Sequence, residues 1–272
     1  PFKGDASHGI WHPYKKKIVF QGRIKGSEKY NIFTYDLISN KTLRLTREES
    51  NINPIWSHDG EKIYFCSDRQ MKNKPSGWVS YYCLFVMDSN GLNQKVLFED
   101  PSFDTFLPSI RSDGKFIAFS RRQESRYELW IMNVQNPNVR FNLTGKGFCR
   151  LGWNPANLNE VVFVKDRKDL MGDGMLYTDV IVGHLIIDES GLKDFKTVLN
   201  LTKERFHDYP NCPSDTCPSW SPDGRKIILS STNDMVRSLD SPNWNLYIIN
   251  SDGTGGKEIG GDRFSRAYFP SW

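Results

Sequence analysis

The sequence predicts an all-β fold, a β-propeller whose blades are four-stranded antiparallel sheets. Three observations lead to this prediction. One segment recurs along the 272 residues, several copies carry an Asp-Gly turn between short apolar runs, and no stretch of about ten residues shows the period of an amphipathic helix. A unit of four short strands cannot bury both of its faces alone, so such units are stabilised by packing sheet on sheet around an axis.

The recurring segment is anchored by a Trp or Ile just before the turn. Successive anchors are 45, 54, 43 and 67 residues apart, and the shortest spacings match the length of a propeller blade. Residues 267–272 look like the start of a sixth copy, and we expect the anchors to pack between blades. The anchors are Trp11, Trp56, Ile110, Trp153, Trp220 and, in the partial copy, Trp272, within repeats that span approximately 8–46, 53–98, 107–144, 149–202 and 217–260.

Each repeat is predicted to form strands a, b, c and d in order. Strand a ends at the anchor, and the Gly of the following turn accepts the positive φ that a tight turn requires. An Asp or Asn, which favours turns, closes strand c. Strand b is predicted at 62–65, 116–119, 161–163 and 226–229, strand c at 31–35, 84–87, 129–132, 181–187 and 246–249, and strand d at 42–46, 95–98, 140–144, 196–202 and 257–259.

Two repeats carry a family resemblance. Pro54-Ile-Trp-Ser-His-Asp-Gly-Glu-Lys-Ile-Tyr-Phe65 and Pro218-Ser-Trp-Ser-Pro-Asp-Gly-Arg-Lys-Ile-Ile-Leu229 resemble the WD40-like (PD40) repeat of TolB-type β-propellers. The resemblance covers nearly the whole chain and implies a single six-bladed domain over residues 1–272, although the sequence supplies five full repeats and one orphan strand. It also implies a periplasmic or other extracytoplasmic bacterial compartment.

Composition and charge exclude several classes of protein. With 38% hydrophobic and 13% aromatic residues the chain can build a folded core, and a net charge of +4 is too small for a dedicated nucleic-acid surface. The longest apolar run, 180–187, is far shorter than the roughly 20 residues of a spanning helix. We therefore expect no nucleic-acid partner and no direct membrane insertion. The chain begins at Pro1 without a signal segment, so we interpret it as processed or partial.

The five cysteines form neither a C-x-x-C pair nor a haem-attachment motif. Two candidate disulfides remain. Cys212 and Cys217 bracket a short loop, and Cys66 and Cys83 would face each other across a hairpin. Bridges at these positions would favour an oxidising compartment.

Strand alternation predicts that the a–b and c–d turns lie at one end of the blades and the b–c and d–a connections at the other. The second group holds every long insertion, and long loops on a rigid scaffold commonly carry binding. For arginines that follow strand b, ion pairing with loop carboxylates is the competing interpretation. The candidate binding residues at this long-loop end are Arg69, Trp78, Tyr82, Phe106, Arg122, Arg167, His207, Tyr209, Trp244 and Tyr268.

Signals for catalysis are weak. The G-x-S-x-G motif of a hydrolase nucleophile does not occur. Loop carboxylates such as Asp100, Asp104 and Asp215 could in principle serve glycosidase chemistry, but they lie in ordinary polar loops. His12 fits a turn better than a metal site. We predict no catalytic residue, no metal and no cofactor.

These observations favour a non-catalytic propeller that binds a protein partner through its long-loop end, as a scaffold or accessory subunit of a larger bacterial complex. Two alternatives stay open. One is a carbohydrate-active lyase or glycosidase with an axial metal or carboxylate site, and the other is a propeller fragment of a larger enzyme.

Overall fold

The computed structural model describes residues 2–70, 81–123, 126–144, 151–166, 178–188, 190–202, 215–232 and 244–259. Within these ranges the chain forms twenty β-strands. No helix that could span a membrane is found in the described residues. The chain groups into two compact units, Pro1–Asn142 and Leu143–Trp272. The single domain proposed for residues 1–272 stays a prediction.

The strands form four-stranded antiparallel sheets in which neighbours follow one another in chain order, as predicted for strands a to d. The described residues contain five such blades, so the expectation of six is wrong. The orphan strand at 267–272 lies outside the described residues. Blade 1 contains β1 (Gly4–Trp11), β2 (Lys17–Ile24), β3 (Asn31–Asp36) and β4 (Lys41–Arg44); blade 2 contains β5 (Asn51–Trp56), β6 (Lys62–Ser67), β7 (Cys83–Asp88) and β8 (Lys95–Phe98); blade 3 contains β9 (Asp104–Ile110), β10 (Phe116–Gln123), β11 (Arg126–Asn133) and β12 (Arg140–Thr144); blade 4 contains β13 (Gly152–Trp153), β14 (Glu160–Asp166), β15 (Thr178–Asp188) and β16 (Gly191–Asn200); blade 5 contains β17 (Asp215–Trp220), β18 (Lys226–Thr232), β19 (Trp244–Asn250) and β20 (Lys257–Ile259).

The cores lie between consecutive blades. In unit 1, Ile63 and Phe65 are buried where blades 1 and 2 meet, and Ile117 and Phe119 are buried between blades 2 and 3. In unit 2, a cluster that includes Leu229 fills the space between blades 4 and 5. These are the sheet-on-sheet contacts that a propeller needs, because a lone blade would leave one apolar face in water.

Of the anchor tryptophans that the structure describes, Trp56 and Trp220 pack between blades as predicted, and Trp272 lies outside the described residues. The Trp56 indole N–H donates to the Ile10 carbonyl at 3.2 Å, and the Trp220 indole N–H donates to the Gly152 carbonyl at 3.1 Å, so each reaches the blade before its own. Trp153 is also buried. Trp11, by contrast, is half exposed.

A β-bulge recurs in strand a of blades 1, 2, 3 and 5. His8, Asn53, Leu107 and Cys217 each lie three residues before an anchor and have a φ of 52° to 54°. The register with strand b shifts at the same place in each blade. The Asn53 N–H donates to Oε1 of Gln21 in blade 1 at 2.7 Å, and the Leu107 N–H donates to Oδ1 of Asn53 at 3.3 Å. Polar contacts therefore join consecutive blades of unit 1 in addition to apolar packing.

The turn after strand a is built from short side chains that bind the backbone. In blade 5, Asp223 Oδ1 accepts hydrogen bonds from the Ser221 hydroxyl at 2.6 Å and the Arg225 N–H at 3.1 Å, which lowers the pKa of Asp223. In blade 1, Nδ1 of His12 accepts from the backbone N–H groups of Tyr14 and Lys15. His12 is thus a turn residue, as predicted, and its burial lowers its pKa.

The Gly of the Asp-Gly turn also contacts the preceding blade. Gly224 has a φ of +68°, and a Cβ built on it would lie 2.2 Å from Oδ1 of Asn154. Gly60 stands in the same relation to the His12 ring. Gly60 and Gly224 are therefore required both by the turn and by the neighbouring blade.

We expect Gly224→Ala to lower the free energy of unfolding by about 2 kcal/mol, from the positive φ together with the clash. Gly26→Ala is the matched control, because Gly26 has a φ of +87° with nothing within 4 Å of the added Cβ, and should lower it by only about 1 kcal/mol. Urea denaturation of both variants measures the difference. Equal losses would show that the contact with Asn154 contributes nothing.

The candidate disulfide between Cys66 and Cys83 is not formed. Cys66 pairs across the ladder with Leu84, whereas Cys83 pairs with Ser67, so the two side chains leave the sheet on opposite faces. Burial raises the pKa of the Cys83 thiol to about 12. Cys212 lies outside the described residues, so its bridge to the buried Cys217 stays a prediction.

Candidate functional site

The long-loop end of unit 1 contains four of the candidate binding residues. Three of them, Tyr82, Phe106 and Arg122, lie together where blades 2 and 3 meet, and Asp104 and Tyr127 complete the group. We call these five residues the seam patch. The fourth candidate, Arg69, lies at the same end but on the blade 1 side of blade 2.

Asp104, the first residue of β9, holds the seam patch together. Its carboxylate is 2% exposed. Oδ1 accepts the Tyr82 N–H at 2.6 Å and Oδ2 accepts Nη2 of Arg122. The Thr105 N–H donates to the Tyr82 carbonyl at 2.8 Å, so the start of β9 in blade 3 is fixed to the residue that precedes β7 in blade 2.

The Arg122 guanidinium is held on several sides. Burial opposes its charge, but hydrogen bonds with Tyr127 and Asp104 outweigh that effect and raise its pKa. Its Cζ lies 5.7 Å from the centre of the Phe106 ring, and Phe106 meets Tyr127 edge to face at 5.9 Å. Arg122 therefore braces the aromatic side chains of the patch as well as pairing with Asp104.

Tyr82 and Phe106 are half-buried aromatic residues of this patch. Both pack against the core between blades 2 and 3. Burial raises the pKa of Tyr82 despite its hydrogen bond with Ser50, so its hydroxyl stays protonated near neutral pH. Each ring has one side fixed by the core, which gives the patch rigid apolar area next to polar groups.

A second charged cluster surrounds Arg121, which precedes Arg122 in β10 and points to the opposite face of blade 3. The Arg121 side chain is 3% exposed and bonds Asp100 Oδ2 at 2.6 Å. Its Cζ lies 3.6 Å from the centre of the Phe103 ring and 4.5 Å from that of Trp130. The Trp130 indole N–H donates to Glu128 at 2.7 Å. This cluster fixes the connection between β8 and β9, which leads directly to the patch residue Asp104.

The structure assigns an ion-pairing role to two of the carboxylates that the sequence offered as candidates for glycosidase chemistry. Asp100 and Asp104 each bind a guanidinium, from Arg121 and Arg122. For Arg122, such pairing is the structural role that the sequence left as the competing interpretation. Asp215 occupies the start of β17 and is fully buried.

Arg69 is not equivalent to Arg122, although both follow the predicted strand b of their repeats. Arg122 pairs in register with Asp104 and Arg23 with Asp5, but Arg69 lies beyond the last residue of β6. Arg69 donates to Oδ1 of Asn51 at 3.0 Å, and its Cζ lies 5.0 Å from the centre of the Phe85 ring. Burial lowers the pKa of Arg69. It therefore braces the blade 1 side of blade 2 and takes no part in the seam patch.

The remaining candidates stay predictions. Trp78, Arg167, His207, Tyr209 and Tyr268 lie outside the described residues, as does the side chain of Trp244. Sequence reasoning missed the role of Asp104 as the centre of the patch and the contribution of Tyr127. The register between strands a and b shows that Asp104 pairs with Arg122, but the extra residue of the bulge in strand a makes this pairing difficult to predict by aligning the repeats.

Comparison with known proteins identifies the fold. No protein-family model matches the sequence, and no curated protein does so either. Among solved structures, a putative TolB from Agrobacterium tumefaciens is 14% identical, with a TM-score of 0.66 over 94% of this chain and 80% of that one. TolB from Acinetobacter baumannii is also 14% identical, with a TM-score of 0.60, and 94% of this chain covers only about half, 52%, of its length.

An oligogalacturonate lyase from Vibrio parahaemolyticus matches at a similar level. It is 13% identical, with a TM-score of 0.56 over 94% of this chain and 73% of that one. Identities this low show the fold alone. Together with the blades described above, they show that this chain has the fold of a TolB-like β-propeller.

Proposed function

We propose that this chain is a non-catalytic, protein-binding β-propeller, a scaffold or accessory subunit of a larger bacterial complex, and that it binds through its long-loop end. The observation that carries the proposal is the seam patch. Its half-buried aromatic side chains Tyr82 and Phe106 pack against the core. The buried Asp104 carboxylate binds the Tyr82 backbone N–H, and its half-exposed partner Arg122 lies over the Phe106 ring. Aromatic and Arg side chains on a rigid base are the usual anchors of protein interfaces.

The charge distribution at this end supports a protein partner. Arg121 and Arg122 are each matched by a carboxylate, Asp100 and Asp104. Balanced charges around aromatic area resemble the polar rim and apolar centre of a protein interface, whereas a polyanion would require uncompensated cations. The proposed periplasmic or other extracytoplasmic location rests on the TolB-like repeats and has no support from these contacts.

Site-specific photocrosslinking tests the proposal. A photoreactive phenylalanine analogue at Phe106, introduced into the full chain in its native cells, should crosslink to a defined partner protein. The matched control is the same analogue at Tyr14, a 71% exposed aromatic residue in the a–b turn at the opposite end of blade 1. The double substitution Tyr82→Ala and Phe106→Ala should weaken the purified partner's affinity at least about tenfold.

Two results would count against the proposal. Equal crosslinking from Phe106 and Tyr14, or none from Phe106, would remove the long-loop end as the binding surface. Unsaturated products released from polygalacturonate by the purified chain, followed by ultraviolet absorbance, would instead support the carbohydrate-active alternative.

A further inference from the structure

A groove of about 620 Å³ opens at the short-turn end of unit 1, between the outer strands of blade 2 and the residues that follow β11 in blade 3. This end carries the a–b and c–d turns and is opposite the seam patch along the same strands. The groove is therefore separate from the proposed binding surface. Its volume is in the range of cavities that hold a small ligand or a few residues of a peptide.

The floor of the groove is apolar. It is formed by Tyr64 of β6, Val86 of β7, Leu97 of β8 and Val134, which follows β11. Tyr64 and Val86 belong to the core between blades 2 and 3, and Leu97 and Val134 pack against that core while remaining partly exposed. An apolar side chain placed here would cover surface that the blades themselves leave in contact with water.

Most polar groups on the rim are already engaged. Oδ1 of Asp88 accepts from Nζ of Lys62 at 3.1 Å and Oδ2 accepts from Nδ2 of Asn93 at 2.6 Å. The Gln94 amide donates to the carbonyls of Leu45 and Gly91. These contacts hold the rim in place and leave little capacity for a ligand.

Lys95 is the exception on this rim. It is the first residue of β8, it is exposed, and it forms no ion pair with any residue that the structure describes. Lys62 and Lys95 together face the single carboxylate of Asp88, so the rim carries an excess of positive charge. A carboxylate beside an apolar side chain would match both the charge and the floor.

We propose that this groove binds an acidic peptide segment of a partner, with an apolar side chain on the Tyr64–Val134 floor and a neighbouring carboxylate paired with Lys95. The inference does not rest on the proposed function, because it uses none of the seam-patch residues. It gives the chain a second docking site at the other end of the blades.

Fluorescence polarisation with defined peptides tests the proposal on the full chain. The probe is fluorescein-labelled Gly-Ser-Asp-Leu-Phe-Asp-Ser-Gly, compared with versions in which both Asp are Asn or Lys. At low salt we expect saturable binding of the acidic peptide below about 1 mM and at least tenfold weaker binding of the basic one. Added salt should weaken binding of the acidic peptide because the charged groups are exposed.

Two variants locate the binding. Lys95→Glu should weaken the acidic peptide about tenfold and reverse the preference in favour of the basic one. Lys257→Glu is the matched control, since Lys257 is the exposed first residue of β20, the d strand of blade 5, and it should have no effect. Val134→Trp should fill the groove and abolish binding, with an unchanged melting temperature as evidence of folding.

The proposal is overturned if none of the peptides binds saturably at 1 mM, if acidic and basic peptides bind equally, or if Lys95→Glu and Lys257→Glu have the same effect. None of these outcomes bears on the seam patch, so failure here leaves the proposed function standing.

Discussion

Asp104→Ala is expected to lower the free energy of unfolding by about 2–4 kcal/mol. The substitution removes a buried carboxylate that accepts the Tyr82 N–H and pairs with Arg122. Both donors would lose their acceptor, and the Arg122 charge would be left half-buried without its counterion. The start of β9 would also lose its link to blade 2.

Asp5→Ala is the matched control. Asp5 pairs with Arg23 in blade 1 at the position where Asp104 pairs with Arg122, but these side chains are 69% and 39% exposed. An ion pair so open to water contributes less than about 1 kcal/mol. Guanidinium denaturation of the two variants compares the same pair in two environments. Equal losses would contradict the conclusion that Asp104 fixes the seam patch.

Phe119→Ala is expected to have the largest effect, a loss of about 3–5 kcal/mol in the free energy of unfolding. Phe119 is fully buried between blades 2 and 3, and its ring centre lies 5.3 Å from that of Phe98 in blade 2. Removing the ring would leave a cavity between two sheets that depend on each other for burial. Thermal and urea unfolding, followed by circular dichroism, would measure the loss.

Leu43→Ala provides the control for that substitution. Leu43 is also an apolar strand residue, but it lies in β4 at the outer edge of blade 1 and is 50% exposed. Its truncation should change the free energy of unfolding by about 0.5 kcal/mol or less. A loss at Leu43 comparable to that at Phe119 would mean that the blade edges, and not the spaces between blades, carry the stability.

Much of the fold could be predicted from the sequence because its signals are local. The Asp-Gly turns bind their own backbone, as Asp223 does, and the apolar alternation of each strand reflects the two faces of one sheet. The meander within a blade joins neighbours in chain order, so no long-range pairing had to be inferred. The number of blades was less accessible, since the family pattern gave six where the repeats counted five.

The functional site was harder to predict because it depends on register. Cys66 and Cys83 are one position out of pairing, and a single step along a strand moves a side chain to the other face. The same step separates the environment of Arg69 from that of Arg122. The bulge at Leu107 adds a residue to strand a, and a leucine does not predict a positive φ. Contacts between blades, such as those of Asp104 and the groove floor, have no local signature at all.

The bulges give this modular architecture a directional order. In blade 2, the Asn53 backbone N–H donates to Oε1 of Gln21 in blade 1, and Asn53 Oδ1 accepts from the Leu107 N–H in blade 3. Asn53 is therefore a donor to the preceding blade and an acceptor from the next one. The acceptor is a side-chain amide oxygen at both junctions, but it belongs to a Gln on strand b of blade 1 and to the shorter Asn on strand a of blade 2. If recombination copied or deleted a blade, the side-chain amide oxygen at one or more of the new junctions would therefore be in the wrong position to accept the bulge N–H. Such events would require a compensating substitution at that junction before the rearranged chain could regain its stability.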